Sequence, residues 1–257
     1  MDKRILRELE LLPVARLYGL EAPANGAALA EVAIPEPPAA PPPMFSRHEA
    51  DAEPRQRESE PAVATPPAGV ETMDWAALRE AVSACRRCPL CEKRKQAVLG
   101  VGALSAPWLF VGEGPGADED EKGEPFVGQA GKLLDGMLAA AKLARGREVY
   151  IANVVKCRPP GNRVPAPEEA AACAAWLDRQ IELIAPRLIV ALGKTAAIRL
   201  TGQESSLASL RGKVHAYRGV PVVVTYHPAY LLRNLPDKAK AWEDLLFAGR
   251  TLAAAGA

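Results

Sequence analysis

Trp108-Leu-Phe-Val-Gly-Glu-Gly-Pro-Gly116, continuing to Phe126-Val-Gly-Gln-Ala-Gly131, is the stretch that the remaining pattern is built around. An apolar run stops at glycines, passes the acidic residues Asp118, Glu119, Asp120 and Glu121, and meets a helix starting near Gly128, so it reads as strand, glycine-rich turn and helix. Such turns leave backbone N–H groups unpaired and pointing outward, which suits an anionic or polar ligand. Many α/β proteins with unrelated tasks share this feature, so its meaning depends on what else reaches the turn.

After a helix over residues 132–143, the apolar run 149–155 reads as a second strand, continuous and therefore buried on both faces. It runs into Lys156-Cys-Arg-Pro-Pro-Gly-Asn-Arg163, where prolines and glycine forbid regular structure. Pro167 opens an amphipathic helix over 168–185 that carries Cys173. Residues 188–192 form a third strand, followed by Gly193 and a helix over 194–200. Residues 214–217 and 220–225 predict two more strands around Arg218-Gly219, the second ending at Tyr226-His-Pro-Ala-Tyr-Leu-Leu232, and a helix over 237–252 closes the chain. Strands alternating with helices predict an α/β fold: a mostly parallel sheet covered on both faces, with ligands bound beyond the carboxyl ends of its strands. Three loops fall on that rim: the turn after the first strand, Asn153 with the loop behind it, and His227-Pro228 after the last strand.

The flanking chain is different. Asp74 reads as the N-cap of a helix through Trp75, Leu78 and Val82 to Ala84, which places a domain boundary at residue 73, between an arm (1–73) and a folded domain (74–257). The arm holds 7 Lys/Arg against 12 Asp/Glu and the domain 25 against 19, so the overall charge of +1 hides an acidic arm and a domain of net +6. A mildly basic body suits a polyanionic partner. Residues 2–20 form a short amphipathic helix interrupted at Pro13, either a terminal helix without partner or a docking peptide for another protein. Between residues 22 and 72 lie 11 of the 24 prolines and few large apolar side chains, the composition of a disordered linker. Neither a membrane-length apolar run nor a signal-peptide pattern is present, so a soluble, cytoplasmic protein with no membrane partner is expected.

In a reducing compartment clustered cysteines more often bind metal or do redox chemistry than form disulfides. Cys85 and Cys88 form a C-x-x-C pair, Cys91 follows, and Cys157 and Cys173 lie far downstream. A pair on a tight turn plus two distant cysteines makes a four-thiolate site for zinc or an iron–sulfur cluster, stapling the start of the domain to the second strand and the next helix. Spacing alone does not choose between the two metals, nor between Cys85/Cys88 and Cys88/Cys91 as the close pair.

Gly112-Glu-Gly-Pro-Gly116, Glu119-Asp120, Gly123-x-Pro125-Phe-Val-Gly128, Asn153-Val-Val-Lys-Cys-Arg-Pro-Pro160, Asn162-Arg163 and His227-Pro-Ala-Tyr-Leu-Leu-Arg233 together resemble the family 4, iron–sulfur-containing uracil-DNA glycosylases, from about Cys85 to Leu246. The resemblance implies a three-layer α/β/α sandwich with a central four-stranded parallel sheet, and a [4Fe–4S] cluster held by Cys85, Cys88, Cys157 and Cys173, with Cys91 outside the family pattern. It implies a DNA-repair enzyme that flips uracil out of single- or double-stranded DNA and hydrolyses its N-glycosidic bond, and a monomer is expected. It says nothing about the arm.

The required chemistry agrees with these residues. A flipped base needs a stacking ring, which Phe126 matches, and a reader of its edge. Asn153 can donate to the uracil carbonyl and accept from the neighbouring N–H, whereas cytosine sets like groups face to face, at a cost of roughly 1–3 kcal/mol per unsatisfied group. His227 matches the histidine placed against uracil O2, where a hydrogen bond strengthens as the base departs as an anion. The turn backbone at Glu113 and Gly114 lines the pocket. The turn lacks the aspartate that activates water in better-known uracil-DNA glycosylases, so Glu113 and Glu119 are the candidates to orient water or stabilise the cationic sugar, with capping or loop bonding as the alternative for Glu119. For DNA contact, Asn162, Arg163, Tyr230, Leu231, Leu232 and Arg233 stand out, the leucines as a wedge for the vacated stack or as core, and Lys156, Arg158 and Arg211 are further phosphate candidates. Two other readings compete: a non-catalytic iron–sulfur DNA-binding or redox module, disfavoured because Phe126, Asn153 and His227 are all present, and a glycosylase of broader deaminated-base specificity. A glycosylase that links covalently to DNA through a histidine after the second strand does not fit, because that loop contains none.

Overall fold

The structure, a computed structural model, describes residues 66–255. The amphipathic segment 2–20 and the linker before residue 66 lie outside the described residues. The described chain enters through a 3-10 turn at Val70–Thr72 whose Val70 is buried in the core, so packed structure begins a few residues before Asp74. Helix α1, Trp75–Ala84, starts where its cap requires: Asp74 accepts the Ala77 N–H at 2.9 Å, and Leu78 and Val82 face inward. There follow α2 (Leu90–Lys93), β1 (Val101–Gly102), β2 (Trp108–Gly112), α3 (Ala117–Lys122), α4 (Gln129–Ala140), β3 (Val149–Asn153), α5 (Pro167–Ile184), β4 (Leu188–Leu192), α6 (Lys194–Thr201), α7 (Leu207–Leu210), β5 (Val214–Tyr217), β6 (Val220–Thr225), α8 (Pro228–Leu231) and α9 (Asp237–Ala254). Among the described residues, no helix is long and apolar enough to cross a membrane.

The sheet runs β1-β3-β2-β4-β6-β5. Its middle, β3-β2-β4-β6, is the expected set of four parallel strands. The expectation of four strands in all is corrected to six, because β1 pairs antiparallel with β3 and β5 antiparallel with β6, closing the two edges. The β5 segment was legible as a strand; β1 was not, being two residues long and offering no periodic pattern.

Every residue of β2, β3 and β4 is buried. Side chains alternate between faces, so Leu109, Val111, Tyr150, Ala152, Ile189 and Ala191 pack beneath α1, α5, α6 and α7, while Trp108, Phe110, Ile151, Leu188 and Val190 pack beneath α4, α8 and α9. This is the three-layer sandwich that continuous apolar strands predict, each fully buried large side chain stabilising it by about 1.5–3 kcal/mol. The consequence for function is geometric: parallel strands bring all their carboxyl ends to one edge.

Candidate active site

At that edge Gly112, the last residue of β2, stands beside Asn153, the last of β3. A cleft of about 610 Å³ opens above them, lined from five segments: the turn 113–119, Phe126 with residues 128–130, Asn153 with the loop 159–164, residues 192–194 after β4, and His227 with residues 229–233. The three rim loops expected from the sequence converge here. The segment after β4 was missed, although it too follows a strand's carboxyl end; it adds Lys194, and the loop after β3 adds the exposed Val164.

Phe126, Asn153 and His227 come together. The Phe126 and His227 rings lie 5.5 Å apart between centroids, tilted by 33°. Phe126 and Asn153 press on one point: a Cβ on Gly112 would sit 2.5 Å from Asn153 Oδ1 and 2.6 Å from Phe126 Cζ. Only a glycine lets a ring and a carboxamide approach the strand end together. Asn153 is buried, and its Oδ1 has no hydrogen-bond partner among the described residues. A buried carboxamide oxygen without a partner is costly and calls for a donor, which a ligand or an ordered water in the cleft can supply.

His227 caps α8, its Nδ1 accepting the Ala229 N–H at 3.2 Å, so the ring proton resides on Nε2, the nitrogen free to donate. Burial first, then the charge of Arg233, lowers its pKa from 6.5 to about 4, against a smaller opposing pull from Glu119. At neutral pH the imidazole is a neutral donor.

The two glutamates differ. Glu113 lines the cleft and accepts a hydrogen bond from the Thr195 hydroxyl at the start of α6. Glu119 accepts the Gly116 N–H at 3.0 Å through Oε2, and those of Val127 and Gly128 at 2.9 and 3.0 Å through Oε1. It closes the start of α3 and fastens the segment carrying Phe126, the loop-bonding role named as its alternative. Gly114 lines the cleft as expected.

The DNA-contact residues divide. Asn162 and Arg163 line the cleft, but the Asn162 carboxamide oxygen accepts from Arg158 Nε at 2.8 Å, and Arg163 grips Glu169 through two bonds of 2.7 and 2.6 Å. Tyr230 stacks on Tyr226 with centroids 5.2 Å apart and donates its hydroxyl to Asp237 at 2.6 Å. Leu231 as a DNA contact is corrected: α8 turns it inward, where it is fully buried beside Trp242 and Leu245. Leu232, next in sequence, is 41% exposed, and Arg233 lines the cleft. Two phosphate candidates are also corrected. Lys156 is 1% exposed and donates to the Asn153 carbonyl at 2.7 Å, and Arg211 pairs with Asp244 at 2.7 Å while lying over the Tyr226 ring.

On the other side of β3, Cys85, Cys88, Cys91, Cys157 and Cys173 all line one small pocket with Lys156 and Arg94. Arg94 donates to Cys157 Sγ at 2.8 Å, and the Lys156 N–H to Cys173 Sγ at 3.3 Å. Burial pushes the Cys173 thiol up to about 12 and raises those of Cys157 and Cys88. Among the described residues no three His, Cys, Asp or Glu side chains gather tightly enough for a single ion. The five cysteines share this pocket, and their sulfurs are the soft donors that zinc or an iron–sulfur cluster takes.

A family model described as the Uracil DNA glycosylase superfamily matches residues 99–246, more than half of the chain. The chain is 50% identical over 163 residues to the type-4 uracil-DNA glycosylase of Thermotoga maritima, spanning 63% of this chain and 84% of that protein. It is 44% identical over 181 residues to the type-4 enzyme of Pyrobaculum aerophilum, with 67% and 92% covered, and 48% identical over 163 residues to that of Archaeoglobus fulgidus, with 60% and 81% covered. The rim that joins a ring, a carboxamide and an imidazole is therefore no isolated coincidence of loops: the chain belongs to the uracil-DNA glycosylase superfamily, within its type-4 branch.

Proposed function

We propose that this chain removes uracil from DNA by hydrolysing the bond between C1′ and N1, leaving an abasic site, with Phe126, Asn153 and His227 holding the flipped base. The observation that carries the assignment is the buried, unpartnered Asn153 Oδ1 set against the Phe126 ring. A uracil ring stacked on Phe126 supplies the N–H that this oxygen lacks, and the Asn153 amide donates in turn to the neighbouring carbonyl. Cytosine offers a bare ring nitrogen and an amino group in those places, so both contacts become repulsive.

As the C1′–N1 bond breaks, its electron pair stays with uracil and the sugar becomes cationic. His227, neutral and with its proton on Nε2, donates to uracil O2 as negative charge builds there; a charged imidazole would hold a proton the reaction does not need. Water then adds to C1′, its proton passes to solvent, and the base leaves. Glu113 is the carboxylate in place to hold that water or face the cationic sugar, since Glu119 has both oxygens committed to loop amides. Arg233 and Lys194, both in the cleft lining, offer charge to the DNA strand, and the exposed Leu232, next to Arg233, offers an apolar wedge.

Cys85, Cys88, Cys157 and Cys173 would hold a [4Fe–4S] cluster, which when bound supplies a covalent staple between the end of α1, the loop after β3 and α5. The two N–H···S bonds and the nearby cations of Arg94 and Lys156 suit a thiolate set carrying negative charge.

The test is a uracil-containing oligonucleotide, single- or double-stranded, incubated with the protein and cleaved with alkali. Strand breaks are expected from the parent, with His227→Ala slower by about 10²–10³-fold, the usual loss of one such donor. An intact strand after incubation with the parent would overturn the assignment. Loss of brown colour in Cys157→Ala identifies the cluster separately.

A further inference from the structure

We propose that Arg145 is a positioning residue for the Phe126 plate, gripping the backbone conformation that aims the ring into the cleft. The inference rests on the reading of Phe126 as the ring that stacks on the base. Phe126 has φ of 55°, a left-handed conformation that a residue with a side chain as large as phenylalanine avoids. Backbone of this kind relaxes unless its surroundings over-determine it.

Three neighbours do so. Glu119 takes the two N–H groups that follow, those of Val127 and Gly128. In α4, Gly131 lies so close that a Cβ there would fall 1.8 Å from the Phe126 carbonyl oxygen, so that oxygen is pressed from one side. Arg145 secures the carbonyls: Nη1 donates to Pro125 O at 2.7 Å and Nη2 to Phe126 O at 2.9 Å. The guanidinium is aimed in turn by Asp135, whose Oδ1 accepts from Nε at 3.1 Å and Nη2 at 2.9 Å.

The chemistry needs an arginine. A planar fork presents two nitrogens to two consecutive carbonyls while keeping a third N–H for the carboxylate; a lysine ammonium offers one nitrogen for all three. Arg145 is absent from the cleft lining and its side chain is 22% exposed, so it meets no part of a base held there and acts through Phe126. Its nearest competitor is a purely structural role, in which the same bonds merely tie the segment after α4 to the helix and to the loop before it.

A double-mutant cycle separates the two, because a residue acting through another loses its effect when that other is gone. Single-turnover excision from a uracil oligonucleotide and the thermal midpoint are measured for the parent, Arg145→Ala, Phe126→Ala and the double variant. The expected result is that Arg145→Ala slows excision at least about tenfold in the parent background and less than about twofold in the Phe126→Ala background, while the thermal midpoint falls equally in both. An equal rate loss in both backgrounds, or none in the parent, overturns the proposal and leaves the stacking reading intact. A Phe126→Ala variant as fast as the parent overturns the stacking reading and the clamp together. Should Arg145→Ala not fold, Arg145→Lys keeps the charge beside Asp135 but cannot span both carbonyls, and the same cycle with it must show the same loss of effect.

Discussion

Lys156 Nζ donates a 2.7 Å hydrogen bond to the main-chain carbonyl of Asn153, three residues earlier, where neither residue is more than 1% exposed. The backbone N–H of the same lysine donates to Cys173 Sγ, so one residue touches both the base-reading loop and the cysteine pocket. An ammonium in such a place is costly unless it is fully engaged, and its removal takes a hydrogen bond from a buried carbonyl. Lys156→Met is expected to lower stability by about 1–3 kcal/mol in chemical denaturation and to slow uracil excision, because Asn153 loses a bond that adds to the sheet pairing of its backbone. Unchanged excision in a folded Lys156→Met protein would show that Asn153 is positioned by the sheet alone.

Two adjacent leucines should respond in opposite ways. Leu231 is core, so Leu231→Ala is expected to cost about 2–5 kcal/mol of stability. Leu232 is exposed and precedes the cleft-lining Arg233, so Leu232→Ala should leave the thermal midpoint within a degree or two while slowing excision from double-stranded DNA more than from single-stranded DNA, where no stack has to be refilled. Equal slowing on both substrates would remove Leu232 from the wedge role.

This pair also marks the limit of what the sequence could disclose. Strands such as Trp108–Gly112 and Leu188–Leu192 were legible because unbroken apolar runs are buried on both faces, and the rim followed because parallel strands end together. Which of Leu231 and Leu232 faces inward depends on the direction of a single turn of helix, which adjacent apolar residues do not encode. Lys156, Arg163 and Arg211 looked alike as cations until the fold gave them Asn153, Glu169 and Asp244 as partners. The strain at Phe126 and the grip of Arg145 on it have no sequence signature, since nothing in a phenylalanine or an arginine announces a positive φ or a pair of carbonyls.

The turn glutamates can be told apart by conservative substitution. Glu119→Gln replaces a carboxylate that accepts three amides with a group bearing one acceptor oxygen, so it should lower the thermal midpoint and slow excision together. Glu113→Gln keeps an oxygen for the Thr195 hydroxyl but removes the charge, so the midpoint should hold while excision slows by about 10²-fold, the usual range for a positioned carboxylate. A Glu119→Gln protein that keeps its thermal midpoint but loses activity would instead make Glu119 the reacting carboxylate.

His227 yields a prediction in pH. Its folded pKa is lowered to about 4 from an ordinary 6.5, by burial and then by Arg233, so between these values the unfolded chain binds a proton that the folded protein refuses. The sign follows: stability contributed by the neutral ring is fully present above about pH 6.5 and is lost as pH falls toward 4, to roughly 3 kcal/mol at one pKa unit per 1.36 kcal/mol. His227→Gln should therefore flatten part of the stability slope measured by denaturation across that window. The excision rate should carry no limb near pH 6.5 from this residue, because the neutral donor persists in the folded protein down to about 4. An acid limb at 6.5 that disappears in His227→Gln would mean the ring titrates freely, and with it the neutral-donor role assigned to Nε2 would have to be abandoned.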